Sequence, residues 1–297
     1  MQAVLSCPQC QRVLAQTDGG FSCPGCQRLY PLIDGIPSFV GEGGSEDAFD
    51  PGFFALLEHA EAHHFWFIGR REIILDALKR QVPDMSGKKM LEIGCGNGDI
   101  LRHLKARTEL ELVGGDLFRE GLQFCRDRVD VPLYQIDATR LPFHDYFDIV
   151  GLFDVLEHIQ DDERVLRECR RALKEHGRLV LTVPVSPALW GPFDEYSHHQ
   201  RRYVRRELRE KLEKAGFAVE RATHFMFFLF PVVYAGRVLK RRFGRAGADS
   251  SEQVPDDLRV RPIFNPLFLR LLGLEKVLMR YVDLPFGTSL LAIARKV

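Results

Sequence analysis

Two groups of residues in this sequence have types and spacings that could do chemistry. The first is a pair of short turns, Cys7-Pro8-Gln9-Cys10 and Cys23-Pro24-Gly25-Cys26, separated by twelve residues. Each turn points two thiolates to one side, and two such turns across a hairpin supply a closed tetrahedral set of four sulfurs suited to Zn2+. A closed site leaves no position for a substrate, so a metal on Cys7, Cys10, Cys23 and Cys26 is expected to be structural, and a ribbon this small needs it to fold. The second is Met90-Leu91-Glu92-Ile93-Gly94-Cys95-Gly96-Asn97-Gly98-Asp99, an apolar strand entering a loop with glycine at every second position. Such a loop lets backbone approach a ligand closely, where a following helix offers unpaired N–H groups.

What the loop holds depends on its third glycine and on the acids behind it. The dinucleotide fingerprint G-x-G-x-x-G/A needs glycine or alanine at position 99, which is Asp, while the third glycine falls at 98. The next strand, Glu111–Asp116, ends in a carboxylate 22 residues after Gly94. A carboxylate there can accept two hydrogen bonds from a ribose diol. A third strand begins at Leu133 and is expected to end at Asp137-Ala138; a fourth strand and its exit loop span Tyr146–Ile159 and carry Asp154-Val155-Leu156-Glu157-His158. Ligands of open α/β sheets sit at the carboxyl ends of the strands, so these segments converge on the glycine loop.

Glu92-Ile93-Gly94-Cys95-Gly96-Asn97-Gly98 resembles motif I of the class I S-adenosylmethionine-dependent methyltransferases, and the Asp-Val-Leu-Glu-His run resembles that family's post-strand motif. The resemblance extends from about residue 65 to the end of the chain. It implies a cofactor site of Glu92, Gly94, Cys95, Gly96 and Gly98, with Asp116 on the ribose and Leu117 beside it. It further implies Asp137 facing the adenine amine, Ala138 as a backbone donor, and Phe153 and Asp154 at the methionine end. Glu157 and His158 would face the methyl-transfer cleft. Methyl transfer from a sulfonium requires alignment, with a general base only where the nucleophile arrives protonated. His158 and the group Tyr196-Ser197-His198-His199 supply candidate bases, because an imidazole titrates near neutral pH. His158 and His198 are therefore the candidate catalytic residues, the alternatives being a residue that fixes the loop and a polar wall.

The elements that must position these groups alternate. Helical spacing is expected over Gly69–Arg80, Asp161–Lys174 and Val204–Ala215, with strands at Arg178–Val183, Ala218–Ala222 and Ser289–Ala294. The expected fold is α/β, a doubly wound Rossmann-like methyltransferase sheet with a small N-terminal zinc ribbon and a helical insertion before the last strand. His59, His63 and His64 have helical spacing, but without an ordered carboxylate set they read as a partly exposed helix.

Within the ribbon, Leu29–Ile33 alternates like a strand and turns at Asp34-Gly35. Cys-Pro-x-Cys twice, then Tyr30-Pro31-Leu32-Ile33-Asp34-Gly35-Ile36-Pro37, resembles the small zinc-ribbon proteins that activate RNA and protein methyltransferases. It also resembles the ribbon fused to some bacterial ribosomal RNA guanine methyltransferases. The acidic, glycine-rich stretch 41–47 reads as a linker, placing a ribbon at 1–42 and a methyltransferase domain at 43–297.

About sixty residues separate the last two strands where the plain fold needs few, an insertion spanning 224–285. Phe225–Ala235 is apolar, is followed by Arg237, Lys240, Arg241, Arg242 and Arg245, and is too short to span a bilayer. Phe264, Leu267, Phe268, Leu271, Leu274, Leu278 and Tyr281 repeat at helical spacing, and Gly244–Asp257 between the two segments is polar. Apolar faces beside basic residues suit peripheral membrane contact or a lipid-like substrate; a helical cap or homodimer interface through 225–282 is the other reading.

With 41 basic and 41 acidic residues the chain does not advertise nucleic acid. The N-terminus lacks the pattern of a signal peptide, and seven cysteines, four in tight pairs, point to a reducing compartment. A cytoplasmic location is expected, with contact at the inner face of the membrane an option. The leading functional expectation is methylation of a small or lipid-linked metabolite using S-adenosyl-L-methionine. The alternatives are RNA methylation guided by the ribbon and Arg201, Arg202, Arg205 and Arg206, and a non-catalytic cofactor-binding partner protein.

Overall fold

The computed structural model describes residues 4–41, 51–243 and 263–297. Residues 42–47, with the domain boundary drawn there, and 244–257 lie outside the described residues.

The ribbon is a four-stranded antiparallel sheet, β1 (Ala15–Thr17), β2 (Gly20–Ser22), β3 (Leu29–Ile33) and β4 (Ile36–Pro37), in that order. Asp34 and Gly35 both take left-handed backbone (φ 51° and 79°), as the tight Asp-Gly hairpin turn requires. The two cysteine turns repeat one geometry. Gln11 N–H donates to Cys7 O and Gln27 N–H to Cys23 O, while Cys7 and Cys23 N–H donate to Arg12 O and Arg28 O.

The chain continues through α1 (Pro51–His63), α2 (Phe65–Gln81), β5 (Lys89–Ile93), α3 (Asp99–Lys105), β6 (Glu111–Asp116), α4 (Arg119–Arg128), β7 (Leu133–Gln135) and β8 (Phe147–Phe153). It closes with α5 (Asp162–Ala172), β9 (Leu173–Pro184), α6 (Pro192–Tyr196), α7 (Arg205–Lys214), β10 (Phe217–Phe225), α8 (Phe230–Phe243), α9 (Asn265–Leu278) and β11 (Ser289–Lys296). The large sheet has the order β10-β11-β9-β8-β5-β6-β7, with β11 antiparallel to both neighbours and the pairs from β9 to β7 parallel. Separate apolar clusters fill its two faces.

Three expectations shift. The third strand stops at Gln135, because Asp137 turns the chain by accepting from Thr139 N (2.8 Å) and Thr139 Oγ1 (2.7 Å). The helix expected to reach Lys174 ends at Ala172, and β9 begins directly at Leu173, which is buried and pairs with Phe147. The histidine helix is two helices: His64 caps α2 by accepting from Trp66 N, and His63 Nδ1 meets His59 O.

The ribbon lies along the free edge of the large sheet. Ser38 pairs with Gln135 of β7 in parallel fashion, Phe39 N–H donates to Gln135 O (2.8 Å), and Ser6 N–H donates to Pro142 O (2.8 Å). Asp34 receives Arg119 and Gln123 side chains from α4. Tyr30 and Phe39 are buried with Tyr134 and Phe143 in one apolar cluster, each such ring contributing about 1.5–3 kcal/mol.

At the opposite flank the apolar run divides. Phe225, Met226 and Leu229 are core, whereas Val232 and Tyr234 of α8 are exposed. Helix α9 packs on α2, with Leu272 against Gly69, where a Cβ would stand 2.4 Å from Leu272 Cδ1. Buried Glu275 accepts Phe227 N–H (2.9 Å). Lys276 and Arg280 pair with Glu72 and Asp76 of α2 instead of forming a free basic rim. Phe264, Leu267, Leu274 and Tyr281 face outward. No helix among the described residues is long and apolar enough to cross a membrane.

Candidate active site

Strand β5 delivers the glycine loop to the carboxyl end of the sheet with three left-handed residues, Gly94 (φ 72°), Gly96 (φ 48°) and Gly98 (φ 76°). Their duties differ. A Cβ on Gly94 would stand 2.3 Å from Val155 and one on Gly98 2.5 Å from Cys125 Sγ, so both serve close packing. Among the described residues nothing lies within 4 Å of the Cβ position of Gly96, which leaves that side of its backbone open. Asp116 at the end of β6 ties the loop to the next one: Oδ2 accepts Gly96 N–H (2.8 Å) and Oδ1 accepts Phe118 N–H (2.9 Å). Burial holds the Asp116 carboxyl above its ordinary pKa against those donors.

These loops border a cavity of about 930 Å³. Glu92, Gly94, Cys95, Gly96, Asp116, Leu117, Asp137, Ala138, Phe153, Asp154, His158 and His198 all line it. Gly98 does not; it is the left-handed N-cap of α3. Glu92 is 2% exposed, one carboxylate oxygen lacks a hydrogen-bond partner, and burial pushes its pKa well up.

The β8 exit is held from the far side. Asp154 (φ 57°) accepts from Arg70 Nη1 (2.6 Å) and Thr182 Oγ1 (2.8 Å), and Arg70 lies 4.5 Å from the Trp66 ring centroid. Arg70, Trp66 and Phe67 come from α2 and also line the cavity. Sequence reading missed Arg70, which belongs to no motif; its i, i+3, i+4 neighbours on an apolar helix face, Phe67, Ile73 and Ile74, were the available signal.

The histidine reading changes in two ways. Burial and neighbouring His199 depress the His158 pKa to about 4, so the argument that it titrates near neutrality fails. His199, not the exposed His198, sits beside it, with ring centroids 4.7 Å apart at 87°. His199 Nδ1 meets Asp194 Oδ1 at 2.9 Å, and its Nε2 points toward Glu157 Oε1 at 4.0 Å. Of the arginines considered for RNA contact, Arg201 and Arg202 pair with buried Asp162 and Asp194, whereas Arg206 makes an exposed i, i+4 pair with Glu210.

The four cysteine sulfurs of the ribbon lie within 4.8 Å of one another. Cys7 Sγ is 3.5 Å from Cys26 Sγ, and Cys10 Sγ is 3.3 Å from Cys23 Sγ.

Residues 91–181 match the family described as the methyltransferase domain. The demethylmenaquinone methyltransferase of Thermotoga maritima is 36% identical over 109 residues, covering 36% of this chain and 48% of that protein. The chain spans about half the length of the curated relatives it matches. Among solved structures, a chain from the complex of the Haloferax volcanii Trm112 methyltransferase activator with a methyltransferase superposes with a TM-score of 0.56 at 20% identity. That match covers 84% of this chain and 99% of the other. Phosphoethanolamine N-methyltransferase 2 of Haemonchus contortus, in complex with S-adenosyl-L-methionine, gives 0.56 at 19% identity, covering 90% of this chain and 61% of that one. The chain thus has the Rossmann-like α/β methyltransferase fold, built around a segment that matches the methyltransferase-domain family.

Proposed function

We propose that the protein is an S-adenosyl-L-methionine-dependent methyltransferase acting on a small or lipid-linked metabolite, with a structural Zn2+ in its ribbon. The observation that carries this reading is the open backbone of Gly96 on a cavity that Asp116, Asp137 and the Asp154–His158 loop also border. Its volume, about 930 Å³, lies at the upper end of small-molecule sites, which leaves room for acceptor atoms beside a cofactor.

The residues present fit that cofactor. Asp116, fixed by two backbone donors, is pre-aimed to accept from a ribose diol. Asp137 commits Oδ1 to Thr139 and holds the turn that brings Ala138 to the cavity. Trp66, Phe67 and Phe193 form apolar wall, which excludes water. When bound, S-adenosylmethionine supplies a methyl group on a sulfonium, so the chain's task is orientation more than acid–base chemistry.

The acceptor class rests on the far flank. Leu267 and Leu274 of α9 and Tyr281 in the turn that follows it are 51%, 58% and 81% exposed, a surface suited to an apolar tail or a lipid layer. The pairing of Arg201 and Arg202 with buried Asp162 and Asp194 counts against RNA.

Calorimetry should find S-adenosylmethionine binding that weakens at least tenfold in Asp116→Ala; no binding, or binding unchanged by the substitution, would overturn the reading. Co-sedimentation with anionic liposomes should be lost in Leu267→Asp/Leu274→Asp. Absence of wild-type binding at low salt would remove the membrane part and leave a small soluble acceptor.

A further inference from the structure

The acceptor end of the cavity holds a second set of metal-ligating groups, distant from the ribbon and unrelated to it in sequence. Glu157, His158 and His199 offer one oxygen and two imidazole nitrogens that all lie within 4.8 Å of one another. We propose that these three side chains bind a divalent transition-metal ion that receives an oxygen of the acceptor, an inference that rests on the methyltransferase reading.

Four observations converge. Glu157 is 0% exposed, yet both carboxylate oxygens lack a hydrogen-bond partner among the described residues while the side chain borders the cavity. Buried carboxylates without partners are costly and call for a proton or a cation. His199 is oriented as metal-binding histidines are: Nδ1 meets the Asp194 carboxylate at 2.9 Å, and Nε2 is turned to Glu157 at 4.0 Å. Asp194 is itself immobilised, accepting from Gly191 N–H (2.8 Å) and Arg202 Nε (2.7 Å). The nearby cations are already engaged, Arg202 by Asp194 and Arg70 by Asp154, so neither closes on Glu157 as an ion pair.

The donor set matters as much as its position. Two histidines and one carboxylate form a three-ligand set that leaves coordination positions open, unlike the closed four-sulfur set of the ribbon. An ion about 2.1 Å from each donor brings neighbouring donors to about 3–3.5 Å, so the 4.0 Å between His199 and Glu157 closes by roughly half an ångström. The open positions face a cavity, which suits an acceptor bearing a hydroxyl or paired oxygens. Asp154, the acid three residues before Glu157, lies outside this donor cluster and has Oδ2 committed to Arg70 and Thr182.

Metal counting on the full chain separates the two sites. After dialysis against Zn2+, the wild type should retain two zinc ions per chain, and Glu157→Gln and His199→Gln one each. With the ribbon kept in zinc, added Co2+ should give visible ligand-field bands without the near-ultraviolet thiolate charge transfer of a sulfur site. Both variants should lose those bands while keeping the wild-type thermal midpoint within a few degrees. One zinc per chain with no cobalt bands in the wild type, or a second ion retained in both variants, would overturn the proposal. Calorimetry with S-adenosylmethionine on the same samples keeps the two readings apart. Cofactor binding without a second ion sinks only the metal site; a second ion without cofactor binding keeps the three-ligand site but overturns the methyltransferase reading and, with it, the ion's role toward the acceptor.

Discussion

The two ends of the large sheet are finished by opposite means. At the β7 edge, a ribbon pairs backbone to backbone with Gln135 and gathers four cysteines from twenty residues of chain. At the β10 end, α7 and α9 cover the two faces by side-chain packing and ion pairs, and part of α9 keeps its apolar side outward. The ribbon end satisfies an exposed strand edge, which otherwise invites association with other chains. The helical end leaves a surface available, and the acceptor cavity opens between them. Closure by backbone hydrogen bonds is specific, whereas closure by packing tolerates an exposed face.

The largest effect should come from removing the ribbon's zinc. Chelation or Cys23→Ser should unfold residues 4–41, since zinc binding contributes on the order of 10 kcal/mol in small zinc domains. Hydrogen exchange should show protection lost in the ribbon and at β7 but kept in α7 and α9; loss of protection at both ends would mean that the two closures are coupled. Next comes Asp162, which ties α5 to Tyr203 (2.8 Å), Arg201 and Lys211 of the α7 region. Burial would raise its pKa, but Lys211 and Tyr203 outweigh this and hold it below the ordinary value. The ionised carboxylate therefore stabilises the fold above its unfolded pKa of about 3.9, and that contribution is lost as pH falls through the lower folded value. Asp162→Asn should cost about 3 kcal/mol at pH 7 and flatten the acid limb of denaturant midpoints measured against pH.

A smaller effect is expected at Gly69, where an added methyl meets Leu272. Gly69→Ala should cost about 1–2 kcal/mol and raise proteolysis of α9 without altering ribbon zinc content. Gln135 links the ribbon closure to the site, since it accepts from Ser38 and donates to Leu117 O (3.0 Å). Gln135→Ala should cost about 1 kcal/mol of stability and weaken cofactor binding a few-fold by calorimetry. The smallest change belongs to the outward face of α9: Leu274→Ser should move the thermal midpoint little, an effect within about 0.5 kcal/mol. A larger loss would show that a second molecule normally covers that face.

The strands were legible wherever a buried, continuous apolar run met glycine or an acid, as at Lys89–Ile93 and Glu111–Asp116. Boundaries moved where a single contact outranked local pattern. Asp137 bends the chain out of the sheet two residues early, and Leu173 is drawn from helix into strand by its pairing with Phe147. Arg70 was invisible because its partner, Asp154, is 84 residues away. His198 stood for the histidine pair because sequence cannot tell which of two adjacent rings turns inward.

The sequence by itself determined the local devices. Cysteines paired at two-residue intervals, glycines at alternate positions and acids at strand ends act over a few residues, where covalent geometry and turn preferences decide the outcome. Only the tertiary structure decided which of the loop glycines border the cavity, and that the ribbon would close the β7 edge. It also brought His199 to Glu157 and His158 across about forty residues of chain. Those outcomes depend on contacts between segments far apart in the chain, and such contacts leave no periodic mark in sequence because packing and burial, not spacing, select them.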